Sequence, residues 1–148
     1  MTNLSPEEVE FLRTQHSAAM ITVDAAGVAK TARVGIGLVN GRIWSSGTAE
    51  RVRTRRLRRD PRSTLFVFDG TFRWLSIEAT VTILDGPQAP EQNLRLFREM
   101  QGRASGPISY FGGELDEEAF LARMVAENRL IYEFEVARSY GVVTAPSF

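Results

Sequence analysis

The chain contains no cysteine, one histidine and one lysine among its 148 residues. The missing cysteines exclude a disulfide framework, an iron–sulfur cluster, a thiolate zinc site and a cysteine nucleophile. A lone histidine, His16, excludes a histidine-rich metal site and leaves a Ser–His triad only if His16 itself serves it. No apolar run approaches the ~20 residues of a membrane span. The opening MTNLSPEEVEFL is acidic and polar, without the basic and apolar regions of a signal peptide. A soluble cytoplasmic protein with no membrane partner is therefore expected. Charge of one sign is also lacking, with 18 basic residues against 18 acidic. An apolar fraction of 43% and a charged fraction of 24% are ordinary for a globular protein, which removes wholesale disorder, a collagen-like repeat and a coiled coil. Nothing divides the chain, and a single domain over residues 1–148 is expected.

Ser5-Pro6-Glu7-Glu8 reads as a helix start, with a serine cap, an early proline and acids at the positive helix end. That helix should present Val9, Phe11 and Leu12 to the core and end near His16. Ala19–Val23 reads as a strand, Asp24–Gly27 as a turn and Thr31–Val39 as the returning strand. Asn40-Gly41 then signals a tight hairpin into a third strand, Arg42–Gly47. Thr48 is placed to cap a helix from Ala49 to about Arg59, which Asp60-Pro61 stops. Ser63–Phe68 is a largely apolar strand, and Arg73–Leu84 alternates strictly between Trp74, Ser76, Glu78, Thr80, Thr82 and an apolar set. Helices are expected over Pro90–Met100 and Leu115–Glu127, joined by a glycine-rich connection, Ser105–Gly113. A strand over Leu130–Val136 and a loose tail follow. Six strands with helices inserted at three places argue for an α+β, mainly β, antiparallel barrel rather than a Rossmann fold.

The outlier is the segment from Arg51 to Arg62, which holds seven arginines in twelve residues with only Glu50 and Asp60 nearby as acids. It reads as a solvated helix face, as a phosphate site combining a helix start with Arg51 and Arg53, or as a nucleic-acid contact. Neutral overall charge weighs against the last, as does the lack of an aromatic platform in the same segment. No nucleic-acid partner is expected. One compact cluster suits a small phosphorylated ligand better.

In their order and spacing, three stretches resemble the flavin/deazaflavin oxidoreductases of the pyridoxamine-5′-phosphate-oxidase-like family, specifically the actinobacterial branch that uses coenzyme F420. Ile21-Thr22-Val23 through Asp24-Ala25-Ala26-Gly27 to Thr31-Ala32-Arg33-Val34 resembles the opening hairpin that floors the flavin site. Arg51-x-Arg53-x-Arg55, leading into Leu57-Arg58-Arg59-Asp60-Pro61-Arg62, is similar to the family's basic element. Trp74-Leu75-Ser76-Ile77-Glu78-Ala79 is similar to the strand that follows it.

The resemblance implies a split β-barrel of the FMN-binding type with short peripheral helices. It implies a homodimer with cofactor sites at the interface and a small-molecule substrate. Arg51 and Arg53 would clamp the cofactor phosphate, Thr48 would assist and Arg55 would contribute charge. Arg33 and Val34 would lie along the ring, and Trp74 would approach from the partner subunit. Two positions depart from the family pattern, Ala29 where proline is frequent and Arg56 where asparagine is frequent. Hydride transfer is chemistry that the cofactor carries, so a chain with no cysteine and one histidine can be an oxidoreductase. Coenzyme F420 bears an oligoglutamate tail for which Arg55, Arg56, Arg58 and Arg59 offer counter-charges, and FMN is the alternative. The expected activity is hydride transfer from the reduced deazaflavin to a small unsaturated or conjugated acceptor. A non-catalytic cofactor carrier of the same fold stays open at this point.

Overall fold

A computed structural model describes residues 3–145. It begins with α1 (Pro6–Thr14), where Ser5 and Glu8 form a reciprocal capping box and Phe11 and Leu12 are buried. β1 (Ser17–Val23) and β2 (Ala29–Gly35) form an antiparallel hairpin. Asp24 closes their turn by accepting hydrogen bonds from the backbone N–H groups of Ala26 and Val28, both at 2.9 Å.

The expected single strand over Thr31–Val39 is two strands, because the chain turns inward at buried Ile36 before β3 (Gly37–Val39). Asn40 and Gly41, both at positive φ, then make the tight turn into β4 (Arg42–Thr48). The arginine-rich α2 (Val52–Arg59) starts three residues later than expected, capped by the Arg51 backbone without any side-chain bond. Thr48 is thus the end of β4 and not a helix cap. Its carbonyl accepts from the Arg51 N–H at 3.3 Å.

β5 (Arg62–Phe68) and β6 (Trp74–Leu84) follow. Leu75, Ile77, Ala79 and Val81 of β6 face inward, as their alternation requires. After α3 (Ala89–Gln101), the glycine-rich connection folds into a small hairpin of β7 (Ile108–Tyr110) and β8 (Gly113–Leu115). α4 (Glu117–Ala126) is capped by the Asp116 side chain. β9 (Arg129–Val142) continues six residues past Val136, where a loose tail was expected. Residues 146–148 of that tail lie outside the described residues.

The main sheet has seven strands in the order β2-β1-β5-β6-β9-β4-β3, all neighbours antiparallel. β9 is long enough to pair with both β6 and β4, so it joins the two halves. The sheet curls until Ser45 Oγ of β4 donates to the Gly35 carbonyl of β2 at 2.7 Å. Its concave side holds the main core, including Met20, Val34, Ile43, Leu65, Ile77, Tyr132 and Phe134. Leu57 fastens α2 to the same core. A satellite core of Ile108, Tyr110, Phe120 and Met124 sits among α3, α4 and the small hairpin. This is the split β-barrel with short peripheral helices.

Candidate functional site

A groove of about 370 Å³ runs between the start of α2 and the β1–β2 hairpin. Thr22, Lys30, Thr31, Arg51, Arg53 and Arg56 line it. The helical repeat places residues 53 and 56 on one side of α2, and Arg55 is exposed outside the groove lining. The last turn is stitched to β1 by Arg59, which donates to the Val23 carbonyl at 3.0 Å, and by Arg56, which reaches Thr22 Oγ1 at 3.5 Å.

The groove is cationic and short of counter-charge. Lys30 faces Asp24 at 3.8 Å, and Glu50 is engaged by the Asn128 side-chain amide at 2.7 Å. Among the described residues, Arg51, Arg53, Arg55, Arg56 and Arg59 make no ion pair, whereas Arg58 and Arg62 are held by Asp85 and Asp60. Arg53 is half-buried. Its Nε is the one buried side-chain polar atom among the described residues that has no hydrogen-bond partner. Burial pushes its pKa below the ordinary arginine value, the nearby Tyr132 oxygen opposes that shift and the Arg51 charge adds to it. A guanidinium cannot shed its proton at neutral pH, so this charge is incompletely solvated and gains from an anion.

A second concavity of about 590 Å³ lies on the outer side of the same hairpin, lined by Gln15, Ser17, Thr31, Arg33, Phe68 and Asp69 among others. Thr31 borders both spaces. Arg33 is exposed there and donates to Ser17 Oγ at 3.3 Å. Val34 points the other way, into the core, at 5% exposure. Adjacent strand residues face opposite sides of a sheet, so the Arg33 and Val34 side chains of one chain face different spaces.

Beyond Arg33 the outer sheet face is aromatic. Phe66, Phe68, Trp74 and Tyr140 form a contiguous row with ring centroids 5.5, 5.9 and 6.1 Å apart. Phe68 is 61% exposed and Tyr140 44%, with Phe72 and Val142 also exposed beside them. Glu78 lies on this face opposite Arg138 in the β6–β9 register, next to a bulge.

Other singled-out residues are taken up structurally. His16 Nδ1 lies 3.2 Å from the Ile36 carbonyl. Tyr110 is buried and donates to Glu127 at 2.6 Å, while its neighbour Phe111 is the exposed aromatic of that loop. Lys30, Thr22 and Arg56 were missing from the residues the sequence singled out for the phosphate. Their place in the groove depends on β1 and α2 packing together, which no local spacing encodes.

Among the described residues no group of histidine, aspartate or glutamate side chains could hold a metal, and no helix is long and apolar enough to cross a membrane. No curated protein matches the sequence. Solved structures do. A conserved hypothetical protein from Mycobacterium tuberculosis is 23% identical with a TM-score of 0.73, over 95% of this chain and 85% of that one. An F420 reductase is 16% identical with a TM-score of 0.67, over 88% and 94%. A heme binding protein from Mycobacterium smegmatis is 12% identical with a TM-score of 0.62, over 97% of this chain and 56% of its own length. At these identities the likeness shows the fold. The family profile of pyridoxamine 5′-phosphate oxidase matches residues 4–142, nearly the whole chain, and the protein belongs to that family.

Proposed function

We propose that the protein is an oxidoreductase that binds a deazaflavin of the F420 type and serves hydride transfer to a small unsaturated or conjugated acceptor. The observation that carries this reading is the cationic groove, with its orphaned Arg53 Nε, opening past Thr31 onto a second concavity beside an aromatic face. That arrangement fits an elongated ligand with an anionic group at one end and a flat ring at the other. Arg51 and Arg53 hold the phosphate, and Arg56 and Lys30 complete the charge around it. Arg33, on the outer face, lies along the ring. The chemistry of hydride transfer comes with the cofactor when it is bound, and the chain supplies position, charge and exclusion of water.

FMN carries a phosphate and a ring as well, and an FMN-dependent enzyme is the second reading. Arg55, exposed and without an ion pair, favours the longer polyanion, because a phosphate monoester leaves it unused, and Arg59 has no acid to neutralise it although it donates to the Val23 carbonyl.

The aromatic face is the proposed contact with a second copy of the chain. It continues directly from the concavity that holds Arg33 and Phe68, so a second copy seated there roofs the ring site and brings its own Trp74 to it. With Phe68, Phe72, Tyr140 and Val142 exposed around the half-buried Phe66 and Trp74, this face is the kind of apolar patch that marks an interaction site. Oxidation of reduced F420 by a panel of unsaturated acceptors, followed by absorbance, tests the activity. Acceptor-dependent oxidation is expected. Binding with no oxidation by any acceptor would make the protein a carrier.

A further inference from the structure

The outer concavity has two charged side chains in its lining, Arg33 and Asp69. Asp69 is spent within its own turn. Its Oδ1 accepts from the Thr71 N–H at 2.9 Å and from the Thr71 hydroxyl at 2.7 Å, and its Oδ2 accepts from Arg73 Nε at 2.7 Å. Arg73 is itself committed, stacked over the Phe11 ring at 5.1 Å from the centroid. Arg33 has no such partner. Among the described residues it makes no ion pair, and its side chain bonds only to the neutral Ser17 hydroxyl, at 3.3 Å. A guanidinium has five N–H donors, so most of its capacity is open to an occupant. Gln15, Ser17 and Thr31 add neutral polar groups to the lining, and Ala19 and Phe68 add apolar surface.

This charge also leans away from the phosphate groove. Thr31, which borders both spaces, pairs with Ile21 of β1, Arg33 pairs with Ala19, and Ser17 pairs with Gly35 one step further on. Thr31, Arg33 and Gly35 alternate along one strand and share its outer face. Because the Arg33 guanidinium reaches Ser17, it is directed toward the end of the hairpin opposite to Thr31. The levels of Thr31 and Gly35 are roughly 13 Å apart along the strand. A ring that enters past Thr31 therefore leaves the guanidinium at its far end, in the part of the concavity not needed for the phosphate.

We propose that the acceptor is itself an anion, an unsaturated compound bearing a carboxylate, which Arg33 and Ser17 hold while Ala19 and Phe68 pack against its apolar body. The planar fork of arginine matches a carboxylate, and no acid in the lining is free to compete for it. This inference rests on the proposed hydride transfer and names the substrate class for it. The two positive sites then have separate tasks, the α2 groove for the cofactor phosphate and Arg33 for the acceptor. The reaction balances without a further reagent. A hydride from the reduced cofactor and a proton from water add across the double bond, the acceptor gains the two electrons that the cofactor loses, and the carboxylate is unchanged.

The test uses saturated acids and their amides, which match in shape, differ in charge and do not turn over. Butanoate, phenylpropanoate and naphthylpropanoate, each against its amide, are titrated by calorimetry into protein saturated with oxidised F420, or with FMN if that cofactor binds instead. The wild type, Arg33→Gln, Arg33→Lys and Arg53→Ala are compared, with thermal unfolding of each. The ratio of acid to amide affinity within one variant cancels any change in folding or in the seating of the ring. The wild type is expected to bind at least one acid about fivefold to tenfold more tightly than its amide, the scale of a hydrogen bond to a charged group. That preference should shrink at high salt, because Arg33 is exposed. Arg33→Gln removes it, Arg33→Lys keeps part of it, and Arg53→Ala keeps it when the cofactor fills the groove. Acids that bind no better than their amides in every pair, or a preference that survives Arg33→Gln, would overturn the assignment and leave the cofactor site standing. A preference lost in Arg53→Ala and kept in Arg33→Gln would place the anion in the α2 groove instead. A wild type that binds neither F420 nor FMN would overturn the proposed function, and this inference with it.

Discussion

At the scale of single residues, the sequence shows where positive charge is concentrated, but packing decides which charges are available. Of the seven arginines between Arg51 and Arg62, two are taken by acids and Arg53 alone has a buried nitrogen left without a partner. Arg51→Ala and Arg53→Ala are each expected to weaken cofactor binding by about 1.5–3 kcal/mol, the range of a charge-assisted hydrogen bond. The folded state should survive Arg51→Ala nearly unchanged, because an exposed arginine adds little stability. Calorimetric titration against thermal unfolding separates the two quantities. Acid reveals another residue-scale feature. Asp69 is held down to a pKa of about 2, first by the Thr71 hydroxyl and then by the Thr71 N–H and Arg73. Asp60 is lowered to about 2, first by the Arg62 side chain and then by its N–H. Both values are depressed from 3.8, so the stability these carboxylates contribute is complete above about pH 4. It is lost as pH falls from there to about 2. Carboxyl NMR titration should place both midpoints near 2, and midpoints near 3.8 would mean that the turns bind no more firmly than water does.

At the scale of elements, strict alternation made β6 legible, and the serine, proline and acids made α1 legible. Tertiary packing decided what spacing could not. Ile36 has an apolar side chain like its neighbours, and nothing local says that the chain turns inward there to split one strand into two. Thr48 has the right residue type for a cap, yet its place in the β4–β9 ladder draws it into the strand. The β7–β8 hairpin has three residues a side, too short to rise above the glycines around it. α2 carries five arginines in eight residues and buries only Thr54 and Leu57. Its folding therefore depends on one apolar anchor set against like-charge repulsion. Leu57→Ala should cost about 2–5 kcal/mol, as a fully buried leucine does, and should unseat the groove along with the helix. Hydrogen exchange across residues 52–59 reads this directly. Ligand binding is expected to slow exchange there in the wild type, and the loss of that protection in Leu57→Ala would accompany the loss of affinity.

At the scale of the whole molecule, the curled sheet encloses the main core, and the proposed cofactor site lies outside it, between a charged helix and an aromatic sheet face. Period-2 patterning showed that Trp74 and Glu78 share one side of β6. It could not show that Phe66, Phe68 and Tyr140 join Trp74 in one row, because that depends on the register of three strands. This row sets the oligomer prediction. Trp74→Glu, or Phe68→Glu on the neighbouring strand, should convert a dimer to a monomer in light scattering and weaken ring binding together with it. A monomeric wild type would remove the second copy from the site. The central claim is that the Arg51–Arg53 groove holds the phosphate of a flavin-type cofactor. Fluorescence titration with F420 and with FMN at moderate salt, on the wild type and on Arg53→Ala, tests it most directly. Saturable binding of F420 in preference to FMN, weakened about tenfold or more in Arg53→Ala, is the predicted result. Equal affinity in the two proteins, or binding of neither cofactor, would contradict it.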